Sequence, residues 1–402
     1  MASRTPTPPT SPPAWAVGLA GLLSLAVAMG IGRFAFTPML PLMVQAGQID
    51  VAGGGWLAAA NYAGYLVGAL TVARTGWSAT RLAAIGLLAT AVLCAVMAIA
   101  GPVAWWALLR FLAGVASAWA FVATNLWCLA ALARGGPNAW SSAFYAGVGL
   151  GIALAGLHCL LGASLGWAVG SLWLQLGGLA LLMVLPVLFV LGRLPALPEV
   201  AASSLRAGAA PGSRGLIVSY ALLGFGYILP ATFLPVLARE VVQDARLFGL
   251  AWPVFGLMAA ASTLVAAGLL RRASRLQVWS ISHALMAAGV LLPSLWLAGW
   301  TVALSALLVG GTFIVATLAG VQEVRARAPG DATALVGRMT AAFAIGQIAG
   351  PVVSAVLLRI APAQGLDLAL QAGGLCLLAS SVWLWRARST PIIPIQESSH
   401  AR

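Results

Sequence analysis

Two arginines lie inside long apolar stretches of this sequence, where charged side chains are rare. Arg33 falls in the apolar run over residues 14–45, and Arg110 falls near the start of the run over residues 103–133. An arginine at the centre of a membrane helix costs about 2.5–3.5 kcal/mol on insertion scales, so it is normally kept where it faces a polar cavity or a partner. The acidic residues all fall in polar breaks, tails or run ends. We therefore expect the two guanidinium groups to attract an anionic or carboxylate-bearing ligand.

Two other interpretations of Arg110 stay open. It could bond backbone carbonyls as a structural residue, or its long side chain could reach the outer membrane interface. Counted along the helices at about 1.5 Å per residue, Arg33 and Arg110 both fall in the outer half of the bilayer. Helix rotation decides whether their side chains converge.

Three neutral side chains complete the predicted substrate site. Asn61 and Tyr65 are four residues apart, so they share one helix face and can offer donors to a ligand. Tyr227 stands 194 residues after Arg33, at the equivalent position of the second half, where its phenol would oppose the guanidinium across a cavity. Simple packing is the alternative for each of them. Polar candidates of lower rank are Gln175, Gln347 and Thr317.

His158 is the sequence's candidate for proton coupling. Histidine titrates near neutral pH, and this one lies at membrane depth near the end of the fifth apolar run. A lone helix histidine with a structural role is the alternative.

Prolines and spaced glycines mark positions where helices bend or approach closely. Pro38 and Pro41 leave carbonyls without a helical partner, which a membrane helix tolerates where neighbours or cavity water bond them. Small residues four apart let membrane helices pack closely. The predicted gating and packing positions are Pro38, Pro41, Gly64, Gly68, Gly114, Gly147, Gly151, Gly346 and Gly350.

The composition indicates a membrane protein with many spans. Of 402 residues, 61% are hydrophobic and 7% are charged, and the mean hydropathy is +1.00. One crossing needs about 20 apolar helical residues, and about twelve such runs account for most of the chain. No room is left for a soluble catalytic or nucleic-acid-binding module, so we predict neither an enzyme nor a nucleic-acid partner.

Metal, disulfide and cofactor chemistry are not predicted. The cysteines occur singly inside apolar runs, without C-x-x-C spacing. This pattern is typical of buried, inert thiols. They are Cys94, Cys128, Cys159 and Cys376.

The apolar runs predict an all-α membrane protein with twelve transmembrane helices in two halves. The expected helices cover residues 14–45, 53–73, 79–100, 103–133, 139–163, 166–192, 215–238, 247–270, 277–298, 299–323, 333–360 and 366–386. A polar segment rich in Pro, Gly and Ser separates the halves. The expected organisation is a disordered cytoplasmic tail over 1–13, a six-helix bundle over 14–192, a cytoplasmic linker over 193–214, a second six-helix bundle over 215–388 and a cytoplasmic tail over 389–402.

The arginines predict the orientation in the membrane. With the N-terminus inside, sixteen arginines fall in inner loops and tails, whereas only Arg239, Arg246 and Arg359 fall in outer loops. Cytoplasmic loops carry the excess of basic residues. Both termini are therefore predicted to be cytoplasmic.

Two internal matches indicate that the halves are duplicated. The pattern over 30–41 recurs over 224–235, at an offset of 194 residues. The Phe-x-x-Gly-x-x-x-Gly pattern over 144–151 recurs over 343–350, at an offset of 199 residues. Both matches join helix n to helix n+6, as expected for two bundles related by an axis along the membrane normal.

The sequence resembles the major facilitator superfamily of transporters. Arg110-x-x-x-Gly114 matches the arginine and glycine of that family's fourth-helix motif, and the stretches over 30–41 and 61–69 resemble its YbfB/YjiJ-type branch. The family's aspartate in the loop between the second and third helices has no counterpart in Gly68 to Gly76. The resemblance implies the major facilitator fold, with two pseudo-symmetric six-helix bundles, a central path and alternating access.

We therefore expect a secondary active transporter, a symporter or antiporter, that moves a small organic anion or carboxylate across the inner membrane. H+ is the expected coupling ion, if one is used, and the chain is expected to act as a monomer among membrane lipids. A drug or sugar exporter with structural arginines is the alternative within transporters. A membrane-embedded sensor or enzyme is the alternative from another class.

Overall fold

A computed structural model describes residues 12–134, 136, 139–194, 213–241, 249–327 and 332–388 of the chain. Within these ranges the structure consists of helices and short connections, without a β-strand. The predicted tails over 1–13 and 389–402 and the predicted linker over 193–214 fall almost entirely outside the described residues.

Twelve long helices lie within the described ranges. They are α1 (Ala14–Gln45), α2 (Val51–Thr71), α3 (Ala79–Val96), α4 (Val103–Ala133), α5 (Ala146–Ser164), α6 (Val169–Leu191), α7 (Ser213–Val241), α8 (Ala251–Arg272), α9 (Arg275–Leu295), α10 (Gly299–Arg327), α11 (Ala332–Ile360) and α12 (Gly365–Ala387). Eleven of them are long and apolar enough to cross a membrane. The other, α2, has 21 residues and spans about 31 Å at about 1.5 Å per residue. The predicted all-α class with twelve helices is confirmed.

Polar caps define several helix starts. The Asp50 carboxylate accepts from the backbone N–H of Gly53 at 2.6 Å and begins α2. Ser78 caps α3 in the same way. Ser274 and Gln277 form a reciprocal capping box at the start of α9. Such caps satisfy N–H groups that have no partner within the helix.

The first helix covers the predicted residues 14–45, and it is disturbed in the middle as its prolines predict. After Ala14–Leu25 the chain widens into a π-helical turn over Ala26–Ile31, passes through a turn, and resumes as an α-helix over Phe36–Gln45. Pro38 has no backbone N–H, and the N–H of Thr37 bonds to the carbonyl of Phe34, three residues back, at 3.2 Å. The α-helical hydrogen-bond register is therefore broken in the middle of α1. The predicted fifth helix also starts late, because a short helix over Trp140–Ala143 precedes α5.

Helix packing repeats between the two halves. In the first half α2 packs on α4, α3 on α4 and α3 on α6; in the second half α8 packs on α10, α9 on α10 and α9 on α12. The halves meet through α2 with α11 and through α5 with α8. Each helix of the first half therefore makes the same contacts as the helix six positions later in the second half. The contact of α2 with α11 likewise corresponds to that of α8 with α5. This is the predicted pair of pseudo-symmetric six-helix bundles.

Glycines bring helices of one bundle into backbone contact. A Cβ atom on Gly64 of α2 would meet the carbonyl oxygen of Phe111, and one on Gly114 of α4 would meet the carbonyl oxygen of Asn61. Gly68 of α2 faces the backbone of α4 in the same way. Such small residues permit the close approach of membrane helices.

The same kind of contact joins α5 to α1 and α11 to α7. Gly147 lies against the carbonyl of Leu22, and Gly346 lies against the carbonyl of Ala221. Both members of the second pair follow the first by 199 residues. The remaining predicted packing glycines, Gly151 and Gly350, face Ala26 and Ile228.

Candidate functional site

A cavity of about 370 Å³ lies between the two bundles. Its walls come from α1, α2, α4 and α5 on one side and from α7, α10 and α11 on the other. The lining residues are Met29, Arg33, Phe34, Tyr65, Phe121, Asn125, Tyr145, Val148, Tyr220, Tyr227, Phe313, Ile314, Thr317, Leu318, Val321, Thr340, Phe343, Ala344 and Gln347. Among these described lining residues Arg33 carries the one formal charge, and none is acidic.

The cavity opens on one face of the molecule. We call the face that carries the start of α1 and the end of α12 the terminal face. Asn125 and Thr340 lie toward that face along α4 and α11, and Asn125 is partly buried whereas Thr340 is exposed. Arg33 and Gln347 are only 3% and 1% exposed and form the deep end.

Contacts between the bundles close the opposite side. The Thr37 hydroxyl donates to the carbonyl of Ala231 at 2.7 Å. Arg239 Nη1 donates to the carbonyl of Pro41 at 2.7 Å. These bonds join the second halves of α1 and α7, whose residues are almost all buried. The structure is therefore closed on this side and open at the terminal face.

The Arg33 guanidinium lies among aromatic rings at the deep end. Its central carbon is 4.3 Å from the ring centroid of Tyr65, 4.9 Å from that of Tyr62 and 5.4 Å from that of Phe34. Such cation–π contacts are worth about 0.5–2 kcal/mol each, depending on desolvation. The Nε atom of Arg33 is buried without a hydrogen-bond partner in the structure, so the group retains donor capacity.

Gln347 of α11 connects Arg33 to the other bundle. Arg33 Nη2 donates to the Gln347 Oε1 atom, and Gln347 Nε2 donates to the hydroxyl of Tyr227. The Tyr227 ring stacks on Phe313 and Phe343, with centroid distances of 5.3 and 5.5 Å and interplanar angles of 5° and 10°. A fully buried chain of hydrogen bonds therefore runs from α1 through α11 to α7.

Arg110 binds the backbone of α1. Its Nη1 and Nη2 atoms donate to the carbonyls of Gly32 and Arg33 at 3.2 and 2.9 Å. In a regular α-helix the N–H of Thr37 would bond to the carbonyl of Arg33, but here it bonds to that of Phe34. The Arg110 side chain supplies the missing donor and supports the interrupted part of α1.

A family model described as the uncharacterised MFS-type transporter YbfB matches residues 25–383. The chain belongs to this family. It is a multi-pass membrane transporter of the major facilitator superfamily, rather than an enzyme. A comparison with curated protein sequences finds no significant match.

Solved structures share the transporter's fold at low sequence identity. The nucleoside transporter NupG is 15% identical, with a TM-score of 0.71, over 94% of this chain and 99% of that chain. A D-xylose–proton symporter is 15% identical, with a TM-score of 0.72, over 93% and 96%. A bacterial homolog of the human lysosomal transporter Spinster, in an inward-facing and occupied conformation, is 14% identical, with a TM-score of 0.68, over 95% and 98%. At these identities the likeness concerns the fold.

The transporter's cavity includes three of the five predicted substrate-binding residues, namely Arg33, Tyr65 and Tyr227. Arg110 and Asn61 lie outside the lining set. Asn61 is fully buried, and its Nδ2 atom donates to the backbone carbonyl of Arg110 at 2.9 Å. These two residues therefore support α1 and α4 next to the cavity.

His158 also lies outside the lining set. Its ring centroid is 6.0 Å from that of Trp167, its side chain lies near Gln175 of α6, and its Nε2 atom has no hydrogen-bond partner in the structure. The proposed coupling residue thus contacts the end of its own bundle rather than the central cavity.

The sequence analysis misses two polar lining residues, Asn125 and Tyr145, and gives a third, Gln347, a low rank. Tyr145 donates to Asn125 Oδ1 between α5 and α4, nearer the mouth of the cavity. Gln347, ranked low from the sequence, is the residue that joins the bundles at the deep end. The available signal is the same for each: a polar side chain inside an apolar run.

Proposed function

We propose that this transporter moves a small organic anion, bound through its carboxylate, by alternating access. The observation that carries the proposal is the guanidinium of Arg33 at the deep end of a cavity whose described lining residues include no acid. A buried charge without a charged partner is costly, and an incoming carboxylate would supply charge-assisted, two-pronged hydrogen bonds.

The rest of the wall favours a ligand with an apolar body. Aromatic and aliphatic side chains dominate the lining, including Phe34 and Phe121 of one bundle and Phe313 and Phe343 of the other. Ligand sites are typically apolar clefts of about 300–1,000 Å³ with a few placed polar groups that fix orientation. The cavity fits this description, with its charged group at one end.

The proposal includes an orientation in the membrane. The sequence predicts sixteen arginines in inner loops and tails and three in outer loops, and the predicted inner side is the one that carries the start of α1 and the end of α12. The excess of basic residues marks the cytoplasmic side. We therefore place both termini in the cytoplasm of a bacterial cell and the open cavity toward the cytoplasm, with the chain acting as a monomer.

A thermal-shift screen of purified transporter tests the substrate class. Small carboxylates with apolar bodies are compared with phosphates, neutral sugars and lipophilic cations, on wild type, Arg33→Ala and Arg33→Lys. A ligand at 100 times its dissociation constant should stabilise the fold by about 2.7 kcal/mol. We expect Arg33→Ala to lose about 100-fold or more in carboxylate affinity. Arg33→Lys should bind at an intermediate level, because lysine keeps the charge but loses the planar fork.

Arg81→Ala is the matched control. Arg81 lies over the ring of Trp77 at 5.1 Å, an arginine–aromatic contact of the same kind outside the cavity. This variant should respond to carboxylates like the wild type. A carboxylate response that Arg33→Ala retains would contradict the proposal.

A neutral or cationic substrate is the second candidate. Two structural neighbours are described as transporters of nucleosides and of D-xylose, which are uncharged molecules. The rings around Arg33 also satisfy part of its charge internally. If only neutral or cationic compounds raise the melting temperature, and do so equally in wild type and Arg33→Ala, the drug or sugar exporter with structural arginines would be favoured.

A further inference from the structure

Gln347 is hydrogen-bonded to Arg33 at the deep end of the cavity. Its carbonyl oxygen accepts from Arg33 Nη2, and its side chain is 1% exposed. The other end of the same amide donates to Tyr227. Arg33 belongs to one bundle, whereas Gln347 and Tyr227 belong to the other. One neutral amide is therefore bonded both to the Arg33 guanidinium of one bundle and to Tyr227 of the other.

We propose that the Gln347 amide holds the place of the substrate carboxylate in the empty transporter, and that exchange of the two couples anion binding to closure of the cavity. The inference rests on the proposed function, because it needs an anionic substrate. It assigns to Gln347 a positioning role that the proposed function does not require.

The exchange is favourable because the two acceptors differ in charge. A carboxylate presents two oxygens and a full negative charge to the guanidinium, whereas the amide presents one neutral oxygen. The bond from Arg33 to the amide has one ionised partner, whereas an arginine–carboxylate pair has two and can form two parallel hydrogen bonds. The neutral amide is thus strong enough to satisfy Arg33 in the empty state and weak enough to be displaced.

After the exchange the same residues can hold the anion from the second bundle. An amide nitrogen carries two hydrogens, of which one reaches Tyr227, so the second can be donated to a carboxylate oxygen. The Tyr227 hydroxyl accepts from Gln347, which leaves its own hydrogen available. The carboxylate would then be bonded to α1 on one side and to α11 and α7 on the other. Such a bridge favours the arrangement in which the two walls approach.

Two substitutions of Gln347 distinguish its competition with the carboxylate for Arg33 from its bonding of the carboxylate to the second bundle. Gln347→Glu places a permanent carboxylate beside Arg33, so carboxylate ligands should bind about 100-fold more weakly or worse. Gln347→Ala removes both the competing oxygen and the second donor, so carboxylates should still bind within about 10-fold of wild type, since the charged contact is the stronger one. Gln175→Glu is the matched control, because it makes the same amide-to-carboxylate change on α6, outside the lining residues. It should bind carboxylates like the wild type.

Closure is measured separately, by alkylation of a thiol introduced by Thr340→Cys at the exposed mouth. In the otherwise unchanged chain, the carboxylate identified by the screen should slow labelling by a membrane-impermeant maleimide. With Gln347→Ala added, the same ligand at saturation should leave the labelling rate unchanged. A residue with a merely structural role would not separate binding from protection in this way.

These experiments test the role of Gln347 separately from the proposed function. Equal loss of carboxylate binding in Gln347→Ala and Gln347→Glu, or wild-type binding in Gln347→Glu, overturns the inference alone. Ligand protection that survives Gln347→Ala also overturns it. A wild type that shows no carboxylate response overturns the proposed function, and this inference falls with it.

Discussion

Arg110 donates to the backbone carbonyl of Arg33, with 2.9 Å between Nη2 and the oxygen. The two arginines that the sequence places at similar depth therefore meet, but through a side chain and a backbone. The guanidinium of Arg33 is left to face the cavity and Gln347. One arginine supports the interrupted helix from which the other acts.

Removing the Arg110 side chain should destabilise α1. Arg110→Met keeps much of the volume but leaves the carbonyls of Gly32 and Arg33 without these donors. An unsatisfied buried acceptor costs about 1–3 kcal/mol, so we expect a loss of about 2–5 kcal/mol in folding stability. Thermal unfolding followed by tryptophan fluorescence measures the effect. Arg81→Ala should change stability by less than about 0.5 kcal/mol, as surface substitutions usually do. An Arg110→Met variant as stable as the wild type would contradict this assignment.

The α2–α4 contact should not accept a methyl group at Gly64. The new Cβ atom would meet the backbone carbonyl of Phe111, which cannot move without its helix. Overpacking of this kind costs about 1–3 kcal/mol. Gly178→Ala is the control, because nothing lies within 4 Å of the added atom. There the better helix propensity of alanine should raise stability by up to about 1 kcal/mol. Equal effects of the two substitutions would refute the close contact.

The Glu323 side chain connects α9 to α10 at the terminal face, and we expect this connection to stabilise the fold. Its carboxylate accepts from Arg275 Nε at 2.9 Å and from Arg327 Nε at 2.6 Å. Arg275 is 40% exposed, so solvent screens part of the attraction. We expect Glu323→Gln to cost about 1–2 kcal/mol in folding stability. In a double-mutant cycle with Arg275→Gln the coupling should be about 1 kcal/mol, and strictly additive effects would show that the pair contributes nothing.

Substitution of His158 should leave the pH dependence of transport unchanged. His158 contacts Trp167 and Gln175 and does not line the cavity. Uptake of the identified ligand into proteoliposomes, measured across external pH for wild type and His158→Gln, checks this expectation. A pH profile that becomes flat in His158→Gln would instead establish His158 as the proton-coupling group.

Part of the site can be predicted from the sequence, because arginine and tyrosine side chains are unusual inside apolar runs. Arg33, Tyr65 and Tyr227 are selected on that signal, and all three line the cavity. Gln347 is harder to select, because an amide is cheaper to bury than a charge and Gln175 has the same appearance in a helix away from the cavity. Sequence reasoning also misses Asn125 and Tyr145, whose pairing depends on two different helices.

The interruption of α1 shows a second kind of feature that the sequence predicts only in part. Pro38 and Pro41 predict a disturbed helix, since each removes a backbone donor. The form of the disturbance depends on what replaces the missing bonds. Arg110, 77 residues later in the chain, binds the carbonyl of Arg33. A local pattern cannot identify such a partner.

The sequence by itself determines that this is an all-helical membrane protein of two related halves. Burying unpaired backbone in lipid is prohibitive, so long apolar runs must form helices, and their spacing defines how many there are. Only the tertiary structure decides that Arg33 faces the cavity, that Arg110 faces a backbone, and that Gln347 stands between the bundles. Each residue turns a helix by about 100° at 3.6 residues per turn, so small differences in helix rotation redirect every side chain. Packing against neighbouring helices sets that rotation, and it does so through contacts between residues far apart in the chain.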